Sequence, residues 1–201
     1  EDAVRHEVAM RAVHGEVEAI NFHGEAINEE TNRIRKYYQK EREKGSSYFF
    51  LLDECAFFSS TILFRRECLN EVGRYDPAFP IYEDYEWYLR FALCYPIHLL
   101  GSPPIVQYRV HAGNVSSHYD PKAIAKIYVA ILEKQLLLIG EKYSGPAYRR
   151  AKGRILAKLA EFYSRTEDKD RVKASLCEAL QLDPALALDW RSLKRLLFAL
   201  L

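Results

Sequence analysis

Apolar and polar positions along the chain follow two regimes, and the change falls near residue 121. Beyond it, apolar residues recur every three or four positions, the spacing of one helix face. That spacing predicts helices over 123–139, 147–164, 169–180 and 187–200. Before it, short apolar runs alternate with charged stretches. Residues 1–13 have helical composition ending near Gly15, 17–22 read as a strand, and 32–44 form a charged, helix-prone run. Residues 48–52 are too short for periodicity to separate strand from helix. The aromatic-rich run 55–64 predicts a buried strand that leads through Arg65–Arg66 into a helix over 67–72, stopped by Gly73. Pro77 and Pro80 mark a loop, a helix follows from Glu83 to about Cys94, and Pro96 ends it. Short strands at 97–100 and 105–110 then deliver a polar loop over 111–117. Strands alternating with helices, followed by helices alone, predict an α/β domain over 1–120 and an all-α appendage over 121–201.

Composition narrows the class. With 49% hydrophobic and 28% charged residues, the 201-residue chain is globular rather than disordered. The net charge of +1 hides an asymmetry. From Lys122 onward 16 Lys/Arg face 9 Asp/Glu, a net +7, leaving 13 against 19, a net −6, before it. The acidic part suits a site that holds a cation, and the basic tail suits peripheral contact with an anionic membrane surface. Cys55, Cys68, Cys94 and Cys177 fit no zinc or CxxC spacing and read as thiols of a reducing compartment. No signal-peptide pattern and no apolar run of about 18 residues is present. The expected location is therefore cytoplasmic, with the inner membrane face as the place where the tail would bind. The basic residues lack the aromatic interleaving of a single-strand nucleic-acid groove, so no nucleic-acid partner is expected.

Candidate chemistry concentrates in Tyr82-Glu83-Asp84-Tyr85-Glu86-Trp87-Tyr88-Leu89-Arg90, where three acids, four aromatics and an arginine share nine positions. A helix start accepts carboxylates for electrostatic reasons alone, because its first N–H groups and the macrodipole favour negative charge. Two neighbouring runs add functional weight. Val72-Gly73-Arg74-Tyr75-Asp76 is a turn, and Tyr108-Arg109-Val110-His111-Ala112-Gly113-Asn114-Val115-Ser116 gathers a cation, an imidazole and small polar residues in a loop.

Taken in order, Arg65-Arg66, Leu69, Val72-Gly73, Tyr75-Asp76, Glu83-Asp84, Arg90, Tyr108-Arg109, His111, Asn114 and Ser116 resemble the second half of family 2 inverting glycosyltransferases of GT-A fold. The resemblance spans roughly residues 1–118 and rests on four short motifs in the family's order. It implies a partial GT-A fold, a nucleotide-diphospho-sugar transferase-like mixed sheet with helices, ahead of the helical appendage. Glu1-Asp2 resembles the tail of the family's Asp-x-Asp segment, while nothing matches the nucleotide-binding strand–helix half. The resemblance thus implies a fragment, or a chain that pairs with a copy of itself or with a partner supplying the rest. Within the appendage, the small-residue pattern at 156–163 and 174–180, followed by Asp183-Pro184, resembles one tetratricopeptide-type hairpin.

Inverting transfer requires a base for the acceptor hydroxyl and charge stabilisation for the departing diphosphate. The family motif assigns the base to Asp84, with Glu83 beside it to orient the acceptor. Arg109 and Arg90 are the candidates for the donor diphosphate, Arg90 reading also as the partner in an ion pair that orients its own segment; His111 is the candidate for a Mg²⁺ or Mn²⁺ ion, and Tyr75 and Trp87 read either as rings stacking on the acceptor or as core packing. Donor and acceptor would be a nucleotide sugar and a saccharide, lipid-linked or protein acceptor, as in the synthesis of bacterial surface polysaccharides. Two other readings are compatible with the same residues. One is a non-catalytic helical interaction module with a relic site, and the other a metal-dependent nucleotide-sugar hydrolase.

Overall fold

A computed structural model describes residues 11–44, 47–54, 57–101, 103–114 and 119–188. The protein is mixed α/β and mostly helical, and its packing forms two compact units. One comprises the chain through Arg74 together with Cys94–His111; the other comprises Tyr75–Leu93 with the chain from Ala112 onward. The sequence reading places a boundary at residue 120, where the composition turns helical. The packing instead groups Tyr75–Leu93 with the later helices.

The first unit holds the sheets. Strand β1 (Ala12–His14) lies between β3 (Leu63–Phe64), antiparallel, and β4 (Ile97–Leu99), parallel. Strand β2 (Val17–Ile20) pairs in parallel with β5 (Val106–Arg109). Between β1 and β2 the chain passes Gly15, where a Cβ would stand 2.4 Å from Ile105 Cδ1, so a side chain there would have to displace that of Ile105. Helix α1 (Asn28–Lys44) lays Ile34 and Tyr38 on Val17 and Ala19, forming a small core. Thr31 Oγ1 accepts the Ala19 N–H at 3.0 Å, so the edge of that core is hydrogen-bonded as well as apolar. Helix α2 (Ser47–Asp53) buries Tyr48, Phe50, Leu51 and Leu52.

Two expectations are corrected here. Residues 12–14, expected in a helix, form the central strand β1, because pairing on both sides outweighs local helix propensity. The earlier part of that run, with Glu1-Asp2, lies outside the described residues. The expected buried strand 55–64 shrinks to Leu63–Phe64, with Leu63 71% exposed and a single 3₁₀ turn at Ser59–Thr61 ahead of it. Cys55 falls outside the described residues. A further 3₁₀ turn (Arg66–Cys68) runs into α3 (Leu69–Val72), which ends at Gly73 with φ 76°, a conformation glycine adopts without strain.

The second unit contains α4 (Glu83–Cys94) and the helices α5 (Pro121–Lys142), α6 (Gly145–Arg165) and α7 (Lys169–Leu182). Asp120 caps α5 by accepting the Ala123 N–H at 3.0 Å, and Asp168 caps α7 by accepting the Arg171 N–H at 3.1 Å. The hairpin α6–α7 closes tightly at Gly153, where a Cβ would meet Ala179 O and Asp183 Cβ, both at 3.3 Å. Of the expected helix 187–200, the described part is a 3₁₀ turn over Pro184–Leu188; the rest lies outside the described residues. No helix among the described residues is long and apolar enough to cross a membrane.

Candidate functional site

Helix α4 begins at a backbone turn that residue types alone do not announce. Tyr82 has φ 59°, a left-handed conformation uncommon for a non-glycine residue. It nevertheless supplies the carbonyl that accepts the Glu86 N–H at 3.0 Å, closing the first helical turn. Glu83 and Asp84 follow at once, both half-buried, in a turn whose exposed N–H groups favour carboxylates. Asp84 Oδ1 accepts the Tyr85 N–H at 2.7 Å, which orients the carboxylate. Tyr75, 48% exposed, shares this neighbourhood. Its phenol is held above the ordinary tyrosine value by burial first and then by the negative charges of Asp84 and Glu83. Of the seven site residues predicted from sequence, five lie in this unit, and three of these, Tyr75, Glu83 and Asp84, gather around one helix start.

From Tyr85 onward α4 is buried nearly all round, as a helix in the interior must be. Trp87 is 1% exposed and packs at 5.7 Å from Tyr75 and 5.1 Å from Phe91, ring centre to ring centre. Of the two rings read as acceptor platforms, Tyr75 presents surface, and Trp87 is a core indole that supports it. Arg90 forms a fork on Glu86, Nε to Oε1 at 2.7 Å and Nη2 to Oε2 at 2.8 Å. Glu86 has no exposed surface, and a carboxylate in such a place requires cations.

Arg109 and His111 lie in the sheet-bearing unit, and both are exposed. Arg109 Nη1 donates to the carbonyls of Asn21, at 2.8 Å, and Phe22, at 2.7 Å, fastening the loop after β2. That loop is tied internally as well: Asn21 Oδ1 accepts the N–H groups of His23 and Glu25. Ser116, part of the resemblance, lies outside the described residues. Among the described residues no three His, Cys, Asp or Glu side chains group closely enough to hold a metal ion.

The sequence marks Glu83 and Asp84 as site candidates, whereas Glu86 emerges only from its burial and its ion pairs. Its spacing of four from Arg90 on a helix was the available signal. Tyr82 carried no signal, since a left-handed tyrosine is imposed by its surroundings. No protein-family model, curated protein or solved structure matches this chain.

Proposed function

We propose that this chain carries the acceptor-side part of an inverting glycosyltransferase, with Asp84 as the general base. The observation that carries the reading is the grouping of Tyr75, Glu83 and Asp84 at the strained start of α4, within a chain whose motifs resemble that family in order. Strain at a side-chain-bearing residue next to carboxylates is characteristic of sites that must hold an awkward geometry.

In this reading an acceptor hydroxyl lies beside Asp84. Its oxygen forms the new bond to the anomeric carbon while the bond from that carbon to the diphosphate oxygen breaks on the opposite face. The hydroxyl proton passes to the Asp84 carboxylate, and the bonding electron pair leaves with the nucleoside diphosphate. Glu83 accepts a second acceptor hydroxyl and Tyr75 offers a ring face to the sugar. For the donor, Arg109 remains the candidate for the diphosphate and His111 for a divalent cation. Arg90, read from sequence either as a diphosphate contact or as an ion-pair residue, forms the ion pair, with Glu86 of the same helix.

The test is transfer from UDP-, GDP- and dTDP-sugars to saccharide acceptors, with Asp84→Asn beside the parent protein. Loss of a base lowers turnover by about 10²–10⁴-fold. Undiminished transfer in Asp84→Asn would remove the base assignment. Sugar release without acceptor would favour the hydrolase, and a folded protein inert with every donor would favour the interaction module.

A further inference from the structure

Lys134 lies on α5, 44 positions beyond the end of the motif that closes at Arg90. Its Nζ donates to Asp76 Oδ2 at 2.7 Å and to Glu86 Oε1 at 2.9 Å, and it stands 5.5 Å above the Phe79 ring. One ammonium thus bridges the loop that precedes α4 and the first buried carboxylate within it. The two anchors flank the segment that holds Tyr82, Glu83 and Asp84. Charges in this group balance: Asp76 and Glu86 against Lys134 and Arg90.

The same helix makes a second contact with the turn. Tyr128, six residues before Lys134, places its ring 4.8 Å from Tyr82 and 5.2 Å from Tyr85. It is itself stacked on Phe162 of α6 at 4.4 Å and 6°. A left-handed tyrosine persists only where its surroundings over-determine it, and α5 supplies the Tyr128 ring against Tyr82 and the Lys134 ammonium to the carboxylates that precede and follow it in the chain.

We infer that Lys134 is a positioning residue for the Glu83–Asp84 turn, holding that turn from α5 by bridging Asp76 and Glu86. This rests on the reading of Asp84 as the base, but its structural content is testable without any substrate. The long stem and three rotatable donors of lysine suit a bridge between two carboxylates on different segments.

Amide hydrogen exchange on the whole chain is the experiment. Lys134→Met should speed exchange by about tenfold or more at Ala78, Phe79 and Glu86–Leu89, with the α6–α7 hairpin unaffected. Asp76→Asn is the second variant, because it keeps the oxygen that accepts the Ala78 N–H and removes only the charge facing Lys134. It should speed exchange at Ala78 and Phe79 and leave Glu86–Leu89 protected. Unchanged exchange in either variant overturns the inference. So does acceleration spread evenly over α5, α6 and α7, which would make Lys134 a general stabiliser. Where transfer is measurable, Lys134→Met should lower kcat on the order of 10²-fold with donor KM unchanged. A parent protein without transfer would defeat the function proposed above and leave the exchange result standing.

Discussion

Asp76 shows how one residue responds to a partner far along the chain. Its carboxylate accepts from Lys134 Nζ and from the Ala78 N–H at 2.9 Å. The Lys134 hydrogen bond, and then that of Ala78, hold its carboxyl below the ordinary aspartate value. The sign of the pH effect follows. Below the unfolded value of about 3.9 the unfolded chain takes up a proton before the folded one, so stability present above about pH 4 is lost as pH falls through the folded value. Partly exposed pairs of this kind contribute about 0.2–1 kcal/mol. Asp76→Asn should lower stability by about that amount at pH 7 and flatten the acid side of a urea-midpoint against pH curve. An acid limb identical to that of the parent would refute it. In the sequence Asp76 reads as the close of a turn at Gly73 and as part of a motif, and nothing near it hints at a lysine 58 residues later.

At the scale of elements, the hairpin α6–α7 leaves little room for a side chain at Gly153. Gly153 lets α6 approach the last turn of α7 so that its Cα faces Ala179 O and Asp183. Gly153→Val should cost about 1–3 kcal/mol by overpacking, read as a lower thermal midpoint. Gly153→Ala gains about 1 kcal/mol of helix propensity, which offsets a tight but adjustable contact, and should lie near neutral. A fully tolerated valine would mean that the helices separate freely. The helices themselves were legible: α4 spans Glu83–Cys94 as its pattern predicts, and α5, α6 and α7 lie within three residues of expectation. Helical periodicity is local, so the sequence displays it. Strand β1 was not legible, because its three residues are defined by partners at 63–64 and 97–99.

At the scale of the molecule, the donor-side and acceptor-side candidates belong to different compact units, and each is tested separately. Calorimetric titration with UDP, GDP and dTDP, with and without Mn²⁺, addresses the first. Metal-dependent binding that weakens in His111→Ala and survives in Asp84→Asn is the expected outcome. Absence of binding to every nucleotide by the folded chain would withdraw the donor-side assignment while leaving Asp84 to the transfer assay.

The sequence by itself determined the order and type of the long elements. It also marked Glu83–Asp84 as carboxylates at a helix start and Tyr75 and Trp87 as the rings nearest to them. These follow from spacing, capping chemistry and turn residues within a few positions of one another. Only the tertiary structure decided that Trp87 is core and Tyr75 is surface, that the Glu86 carboxylate is fully buried, and that Lys134 closes the group. It also decided that Tyr75–Leu93 packs with the later helices. The physical reason is the same in each case. Burial and ion pairing are set by which distant segments meet, and a charge such as Glu86 shows its need for cations only once water has been removed around it.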